Sequence, residues 1–241
     1  MAAIEVRDLG VRYRQGAPNA VQALSAITLS IQAGEFVSVA GRAGSGKTTL
    51  LHCLGLLLQP TSGLVVIDGI DTSALDAGQR AEVRGRRIGF VLREGNLLSG
   101  LTVLENVLLP LRYAGASMLS RGGRARARDL LDLVGMSDQA GDRPDQLTAA
   151  QTQRAAIARA LVRAPTLVLA DEPTGEVDAD TSDELLYLMQ QVNRMSNVTF
   201  VVATHDRDVA SCMDRVIRID EGRVTADERL RLADGRRSGT R

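Results

Sequence analysis

Short apolar runs bounded by glycine, proline or polar residues recur along the chain and predict buried strands at 36–40, 64–67, 87–92, 167–170 and 198–203. Apolar and charged residues alternate over 4–9, which predicts an edge strand. The pattern at 21–31 predicts another strand with one apolar side. Residues 215–220 and 223–226 flank Glu221-Gly222, a plausible hairpin turn. Helical spacing predicts helices at 75–84, 102–109, 124–134, 148–163 and 181–195.

Strand signals are missing between about 93 and 164, where glycines such as Gly115 separate predicted helices. The pattern therefore predicts a single α/β domain with an inserted helical subdomain at 93–164. The core is formed by 1–92 and 165–227, and 228–241 is a tail whose end, 234–241, offers no apolar residue for docking.

A glycine-rich motif follows the apolar run 36–40, and a helical run follows the motif. Its eight residues are Gly41, Arg42, Ala43, Gly44, Ser45, Gly46, Lys47 and Thr48, which fit the P-loop pattern. Glycines let the backbone N–H groups surround a polyphosphate, the lysine can reach the β- and γ-phosphates, and the threonine hydroxyl can ligate Mg²⁺. The alternative is a turn that binds nothing, and the flanking strand and helix argue against it.

Two further stretches place polar residues after buried strands. Asp171 ends the run 167–170 and can hold the Mg²⁺ shell beside Thr48, while Glu172 can polarise an attacking water. His205 follows the run 198–203, and the carboxyl ends of parallel strands meet at one edge. His205 can therefore reach a γ-phosphate. His52, within the predicted P-loop helix, is interpreted as a core residue.

Composition narrows the class of protein. Lys+Arg and Asp+Glu each number 29, so net charge offers no case for nucleic acid or a membrane surface. The arginines at 121, 124, 126 and 128 are interpreted as a solvated helix face. Cys53 and Cys212 are predicted to be buried, reduced thiols. No stretch resembles a signal peptide or reaches the roughly 20 apolar residues of a membrane span, so a membrane role requires a partner chain.

These motifs, in this order and with a helical insert between them, resemble the ATP-binding subunit of ABC transporters over roughly 4–226. Residues 41–48 match the Walker A motif, 167–172 match Walker B, and His205 matches the switch histidine. The phrases ADEPTG at 170–175 and IGFV at 88–91 are similar to the lipoprotein-release and macrolide-export branch. That branch moves lipidated or amphiphilic substrates or performs periplasmic or cell-wall work.

The resemblance implies an α/β fold: a P-loop NTPase core with a mostly parallel sheet, an N-terminal antiparallel β subdomain and an inserted helical subdomain. It implies an ATPase with Glu172 and His205 as catalytic residues, and with Mg²⁺ held by Thr48 and Asp171. It implies that Tyr13 stacks on adenine, that 176–178 form the D-loop, and that Thr148 and Gln151 face a nucleotide held by a second subunit. The implied nucleotide contacts are Tyr13, Gly41, Arg42, Ala43, Gly44, Ser45, Gly46, Lys47, Thr48, Thr49, Thr148, Gln151 and Asp178. The implied partners are a transmembrane permease at the cytoplasmic face of the membrane and a like or unlike second ATPase subunit.

Two positions depart from the family pattern. The signature LSGGQ is replaced by LTAAQ at 147–151, so Ala149 and Ala150 put methyl groups where glycines would let phosphate approach. Thr148 and Gln151 still form a capping-box pattern. Arg93 replaces the Q-loop glutamine; it has only donors and cannot ligate a metal. It could contact a phosphate, or it could turn outward without a role.

Three functions are considered for a chain with these motifs. The leading one is a transport ATPase, slowed by these departures. The second is a regulatory protein or scaffold that binds ATP as a clamp with little turnover. The third, a soluble ATPase of DNA repair or translation, is disfavoured because long insertions and a second cassette are absent and the charge is balanced.

Overall fold

The computed structural model describes residues 2–114 and 121–230, so the predicted linker at Gly115 and the tail segment 234–241 lie outside the described residues. The strands are β1 (Ala2–Tyr13), β2 (Val21–Gln32), β3 (Phe36–Ala40), β4 (Ser62–Ile67), β5 (Ile70–Asp71), β6 (Ile88–Val91), β7 (Leu167–Asp171), β8 (Thr199–Thr204), β9 (Arg215–Asp220) and β10 (Arg223–Arg229). The helices are α1 (Lys47–Leu54), α2 (Ala77–Arg87), α3 (Val103–Tyr113), α4 (Arg121–Leu133), α5 (Ala149–Leu161), α6 (Ala179–Ser196) and α7 (Arg207–Ser211).

Two sheets organise the chain. The core sheet has the order β10-β9-β3-β8-β7-β6, in which every neighbouring pair from β9 to β6 is parallel and β10 is antiparallel to β9. The N-terminal sheet has the order β2-β1-β4-β5 and is antiparallel. Helices α3, α4 and α5 lie between β6 and β7 in the chain. The predicted α/β fold, with a P-loop core, an antiparallel N-terminal sheet and a helical insert, is confirmed.

Both faces of the core sheet are buried. Phe36 and Phe200, on β3 and β8, pack edge to face on one side, with ring centroids 5.6 Å apart, among residues of the inserted helices and α6. Val37 and Val201, the next residues along, pack on the opposite side against α1 and the N-terminal sheet. Because successive side chains of a strand point to opposite faces, a strand buried on both faces reads as a continuous apolar run.

The prediction that residues 4–9 form an edge strand is wrong. β1 lies between β2 and β4 and pairs with both. The alternation arises because one face of the sheet packs on the core and the other meets solvent. At the other end of the chain, β10 continues through Glu228 and Arg229, which pair with Val216 and Arg215, so these two residues do not belong to the predicted tail.

The two cysteines differ. Cys53 is buried, and burial raises the pKa of its thiol to about 12. Cys212 is only half-buried, which corrects the prediction, because it caps the short surface helix α7 and its Sγ lies 3.4 Å from the carbonyl of Asp208. His52, expected in the core, is also half-buried. Among the described residues, no helix combines the length and apolar character needed to cross a membrane.

Candidate functional site

The P-loop joins β3 to α1, and at two of its positions the backbone conformation or the available space requires glycine. Gly46, directly before α1, has a φ of 108°, a conformation that L side chains rarely adopt. A Cβ atom at Gly41 would lie 2.2 Å from the carbonyl oxygen of Ile219. The loop therefore passes close to β9 and leaves the N-terminus of α1 open to an anion.

Lys47 lies inside this loop. Its side chain is 6% exposed, and Nζ donates hydrogen bonds to the carbonyl oxygens of Gly41 at 2.8 Å and Arg42 at 3.0 Å. Nζ also lies 3.9 Å from Oε1 of Glu172. The ammonium group is thus held where it can exchange loop carbonyls for phosphate oxygens.

Residues beside Lys47 complete the phosphate end of the site. Thr48 follows it in the first turn of α1. Within residues 2–114 and 121–230, the buried Ser45 Oγ has no hydrogen-bond partner. The Tyr13 hydroxyl lies 3.3 Å from Thr49 Oγ1, and Tyr13 is 39% exposed. An exposed aromatic ring next to the P-loop has the position needed to pack on a base. The loop's remaining predicted contacts, Ala43 and Gly44, lie on its outer turn.

Asp171, the last residue of β7, has a carboxylate suited to a metal ion. Its Oδ1 is buried and has no hydrogen-bond partner among the residues that the structure describes. Burial, the largest effect, raises the pKa of Asp171; a hydrogen bond with Thr48 lowers it, and the Glu172 charge raises it further. A cation at Asp171 and Thr48 would satisfy the orphaned oxygen and favour the charged carboxylate. These two oxygen donors fit Mg²⁺.

Glu172 and His205 meet at the carboxyl edge of the core sheet. His205 Nδ1 lies 2.9 Å from Glu172 Oε1, the same oxygen that faces Lys47. The backbone N–H of Glu172 donates to the carbonyl of Ala203 at 2.9 Å, which ties the two strand ends together. The Glu172 side chain is 16% exposed and that of His205 is 56% exposed. The predicted gathering of strand-end residues therefore occurs within one chain.

Three predicted nucleotide contacts stand apart from this cluster. Thr148 and Gln151 form a capping box at the start of α5, with hydrogen bonds of 3.2 Å and 2.9 Å between them. Asp178 caps α6, and hydrogen bonds from Thr181 hold the pKa of its carboxyl below the usual value. In the described part of the chain these residues bond locally and not to the P-loop. Ala149, the first residue of α5, is exposed.

Arg93 forms an ion pair that the sequence did not indicate. Its Nε donates to Glu176 Oε1 at 2.8 Å, an ion pair between the loops that follow β6 and β7. Two residues of this arrangement were missed from the sequence: Glu176, treated only as part of the D-loop, and the buried Gln153, which donates to the carbonyls of Leu92 and Arg93. In the sequence, this pair shows only as two opposite charges that each follow a predicted strand.

The sequence profile of the family described as ABC transporter matches residues 24–175. The chain belongs to the ABC transporter family. It shares 40% identity over 225 residues with the "Lipoprotein-releasing system ATP-binding protein LolD" of Bordetella pertussis, covering 93% of this chain and 96% of the relative.

Two other comparisons agree. The "Macrolide export ATP-binding/permease protein MacB" of Syntrophobacter fumaroxidans is 45% identical over 222 residues; that alignment covers 92% of this chain but only 31% of the relative. The chain thus spans about a third of the length of that relative. A solved dimeric structure of the ATP-binding cassette MJ0796, in a post-hydrolysis state bound to ADP and Pi, superposes with a TM-score of 0.86 at 39% identity, covering 95% of this chain and 99% of that one.

Proposed function

We propose that the chain binds ATP with Mg²⁺, hydrolyses it, and serves as the ATP-binding subunit of an ABC transporter. The observation that carries the proposal is that two groups contact the same oxygen, Glu172 Oε1, beside the P-loop. Lys47 Nζ lies 3.9 Å from this oxygen and His205 Nδ1 lies 2.9 Å from it. A phosphate-binding lysine, a base for water and an orienting imidazole are the parts that phosphoryl transfer to water needs.

Each residue has a role in this reaction. Lys47 and the loop N–H groups hold the phosphates, and Tyr13 packs on the base. Thr48 and Asp171 would hold Mg²⁺, and the cation would supply positive charge to offset that of the phosphates. Glu172 accepts a proton from the attacking water, and His205 donates its Nδ1–H to the Glu172 carboxylate and so keeps the carboxylate oriented.

A second subunit completes the site. Thr148 caps α5, which begins with Ala149, Ala150 and Gln151; the first two of these four residues are exposed and the other two half-buried. The relative of known structure forms a dimer with ADP and Pi bound. In the proposed dimer, this helix N-terminus faces the phosphates on the partner. Asp178 lies at the same subunit contact. The partner is a second copy or a different ATPase subunit, and sedimentation with ATP distinguishes them.

The membrane-spanning partner is proposed to dock in a groove of about 840 Å³ between α2 and β6 on one side and α3 and α5 on the other. Two apolar side chains are exposed there, Leu57 at 53% and Tyr113 at 88%. The MacB relative is named as an ATP-binding/permease protein, and the alignment covers only 31% of it, which supports a permease as occupant. Through it the chain would work at the cytoplasmic face of the membrane, exporting or extracting an amphiphilic or lipid-linked substrate.

Docking in the groove is testable by co-purification from detergent-solubilised membranes. Tyr113→Ser should lower the amount of membrane-spanning subunit recovered per cassette. The matched control Tyr187→Ser, which removes another exposed tyrosine, at 63%, from α6, should not. Equal recovery with both variants would contradict docking in this groove.

The alternative is an ATP clamp with little turnover, and the methyl groups of Ala149 and Ala150 favour it. Glu172→Gln separates the two functions. In the ATPase, this variant retains ATP binding but loses about 10²- to 10⁴-fold in turnover, because the general base is removed. In the clamp, turnover and phenotype stay unchanged.

The measurements are equilibrium binding of a fluorescent ATP analogue and phosphate release by the purified protein. Glu5→Gln is the matched control, since Glu5 is a partly exposed acid on β1 whose partner is Arg7. A wild-type protein that binds no ATP in the presence of Mg²⁺ would refute the proposed function altogether.

A further inference from the structure

The ion pair between Arg93 and Glu176 joins two loops beside the catalytic carboxylates. β6 and β7 are parallel neighbours, so their carboxyl ends lie side by side, and one member of the pair follows each strand. Arg93 and Asp171 both line an open cavity of about 290 Å³. The pair therefore links the two loops next to the residue proposed to hold Mg²⁺.

The Arg93 side of this link is anchored in the protein interior. Gln153 is 2% exposed, and its Nε2 donates to the carbonyl of Leu92 at 3.0 Å and also to the carbonyl of Arg93. Gln153 belongs to α5, so the backbone of Arg93 is attached to a packed helix. A side chain whose backbone is held in this way can restrain whatever its guanidinium binds.

The Glu176 side belongs to a tight turn that begins at the proposed base. The N–H of Gly175 donates to the carbonyl of Glu172 at 3.1 Å. A Cβ atom built at Gly175 would lie 3.3 Å from Arg93 Nε and 3.3 Å from that same carbonyl oxygen. The arginine therefore packs directly on the turn as well as pairing with the residue that follows it.

The turn holds Glu172 in an unusual conformation. Its φ is 47°, in the left-handed region that is unfavourable for a residue with a side chain. Such a conformation persists only when surrounding contacts impose it. The contacts present are the bond from the Glu172 N–H to Ala203, the turn bond from Gly175, and the guanidinium of Arg93 across the turn.

We propose that Arg93 is a positioning residue: through Glu176 and Gly175 it clamps the turn that holds the Glu172 carboxylate beside His205 and Lys47. The proposal rests on the hydrolysis proposed above. It gives Arg93 a role in turnover that needs no contact with phosphate or metal, and it explains why a residue with only donors is accommodated at this position.

The test is a double-mutant cycle made of Arg93→Met, Glu176→Gln and both changes together. Methionine retains an unbranched apolar stem over Gly175 but removes the guanidinium. Arg93→Lys is the conservative rescue, since it keeps the charge. Arg7→Met is the matched control: the Arg7–Glu5 pair has the same 2.8 Å length and similar side-chain exposures, 64% and 38% against 55% and 46%, but lies on β1.

Each single variant should lower kcat about two- to fivefold, the effect of losing one partly exposed ion pair, with the KM for ATP unchanged. The double variant should be no slower than either single one, and Arg93→Lys should recover part of kcat. Independently of activity, amide hydrogen exchange should be faster in the segment 172–176 of Arg93→Met and Glu176→Gln. Neither kcat nor exchange in this segment should change in Arg7→Met.

Several results would overturn the clamp. They are a kcat for Arg93→Met equal to or above that of wild type, a rise in KM alone, additive losses in the double variant, or unchanged amide exchange at 172–176. If the wild-type protein binds ATP without turnover, the proposed hydrolysis fails. The amide-exchange comparison then tests by itself whether Arg93 positions the turn at 172–176.

Discussion

Arg215 is the most informative place to test how the two sheets are held together. Its side chain is 10% exposed and lies at the start of β9. Nε and Nη2 bind both carboxylate oxygens of Asp227 at 2.6 Å, and Nη1 donates to the Ser30 carbonyl at 2.8 Å and to Glu35 at 2.9 Å. One guanidinium thus joins β10, the N-terminal sheet and the residue that precedes β3. The perturbation is Arg215→Met, which keeps the apolar stem.

The expected loss follows from what Arg215 leaves behind. Removing one partner of a fully buried ion pair costs about 3–5 kcal/mol. Here Asp227 is 38% exposed and can be hydrated, and Glu35 keeps a hydrogen bond from Arg229 at 2.7 Å. Both features reduce the cost, while the Ser30 carbonyl also loses its side-chain donor. We therefore expect the free energy of unfolding to fall by about 2–3 kcal/mol.

Urea denaturation of the purified protein, followed by circular dichroism, measures this loss. Arg218→Met is the control, because Arg218 lies on the same strand but its contact with Glu228 is 3.8 Å long and about half exposed. That variant should lose less than about 1 kcal/mol. If the two variants differ by less than about 0.5 kcal/mol, the tertiary role assigned to Arg215 is incorrect.

Acid should weaken the same network. The hydrogen bonds from Arg215 lower the pKa of Asp227, so this carboxyl has a lower pKa folded than unfolded. Its contribution to stability is full above the unfolded pKa, about 3.9, and is lost as the pH falls through the folded pKa. The difference in stability between wild type and Arg215→Met should therefore narrow below about pH 4. A difference that stays constant down to pH 2 would contradict this linkage.

Two further predictions concern the nucleotide site. Gly41→Ala places a methyl group 2.2 Å from the Ile219 carbonyl oxygen, so the loop must move and kcat/KM should fall about 10²-fold. Gly100→Ala is the control, because its added carbon meets no described residue within 4 Å; equal kcat/KM values for the two variants would refute the packing argument. The double change Ala149→Gly and Ala150→Gly should lower the free energy of unfolding, measured by urea denaturation, by up to about 1 kcal/mol per residue. It should also raise ATP turnover, because phosphate can approach α5 more closely. Unchanged turnover would mean that these methyl groups do not limit the rate.

Features encoded in consecutive residues were predictable from the sequence, whereas features set by tertiary contacts were not. The P-loop was predictable because glycine conformations, the lysine and the helix start are encoded in consecutive residues. The capping box of Thr148 and Gln151 was predictable for the same reason, since its two partners are three residues apart. Strand β1 was misassigned as an edge because alternation reports which face meets solvent and carries no information about neighbours.

The meeting of Glu172 and His205 lies between these cases. The sequence shows that both residues follow apolar strand runs, and the rule for parallel sheets places such residues at one edge. That β7 and β8 are neighbours, which brings the two side chains to 2.9 Å, follows from the folded sheet order.

The sequence alone therefore determined the chemistry of this protein: a phosphate loop, two carboxylates and a histidine, in an order that indicates the family. The tertiary structure decided the partnerships of charged residues far apart in the chain. Arg93 is 83 positions from Glu176, and Arg215 is 180 from Glu35. Such pairs depend on the order of strands in the sheet and on the face from which each side chain projects. Both are set by the packing of the whole domain.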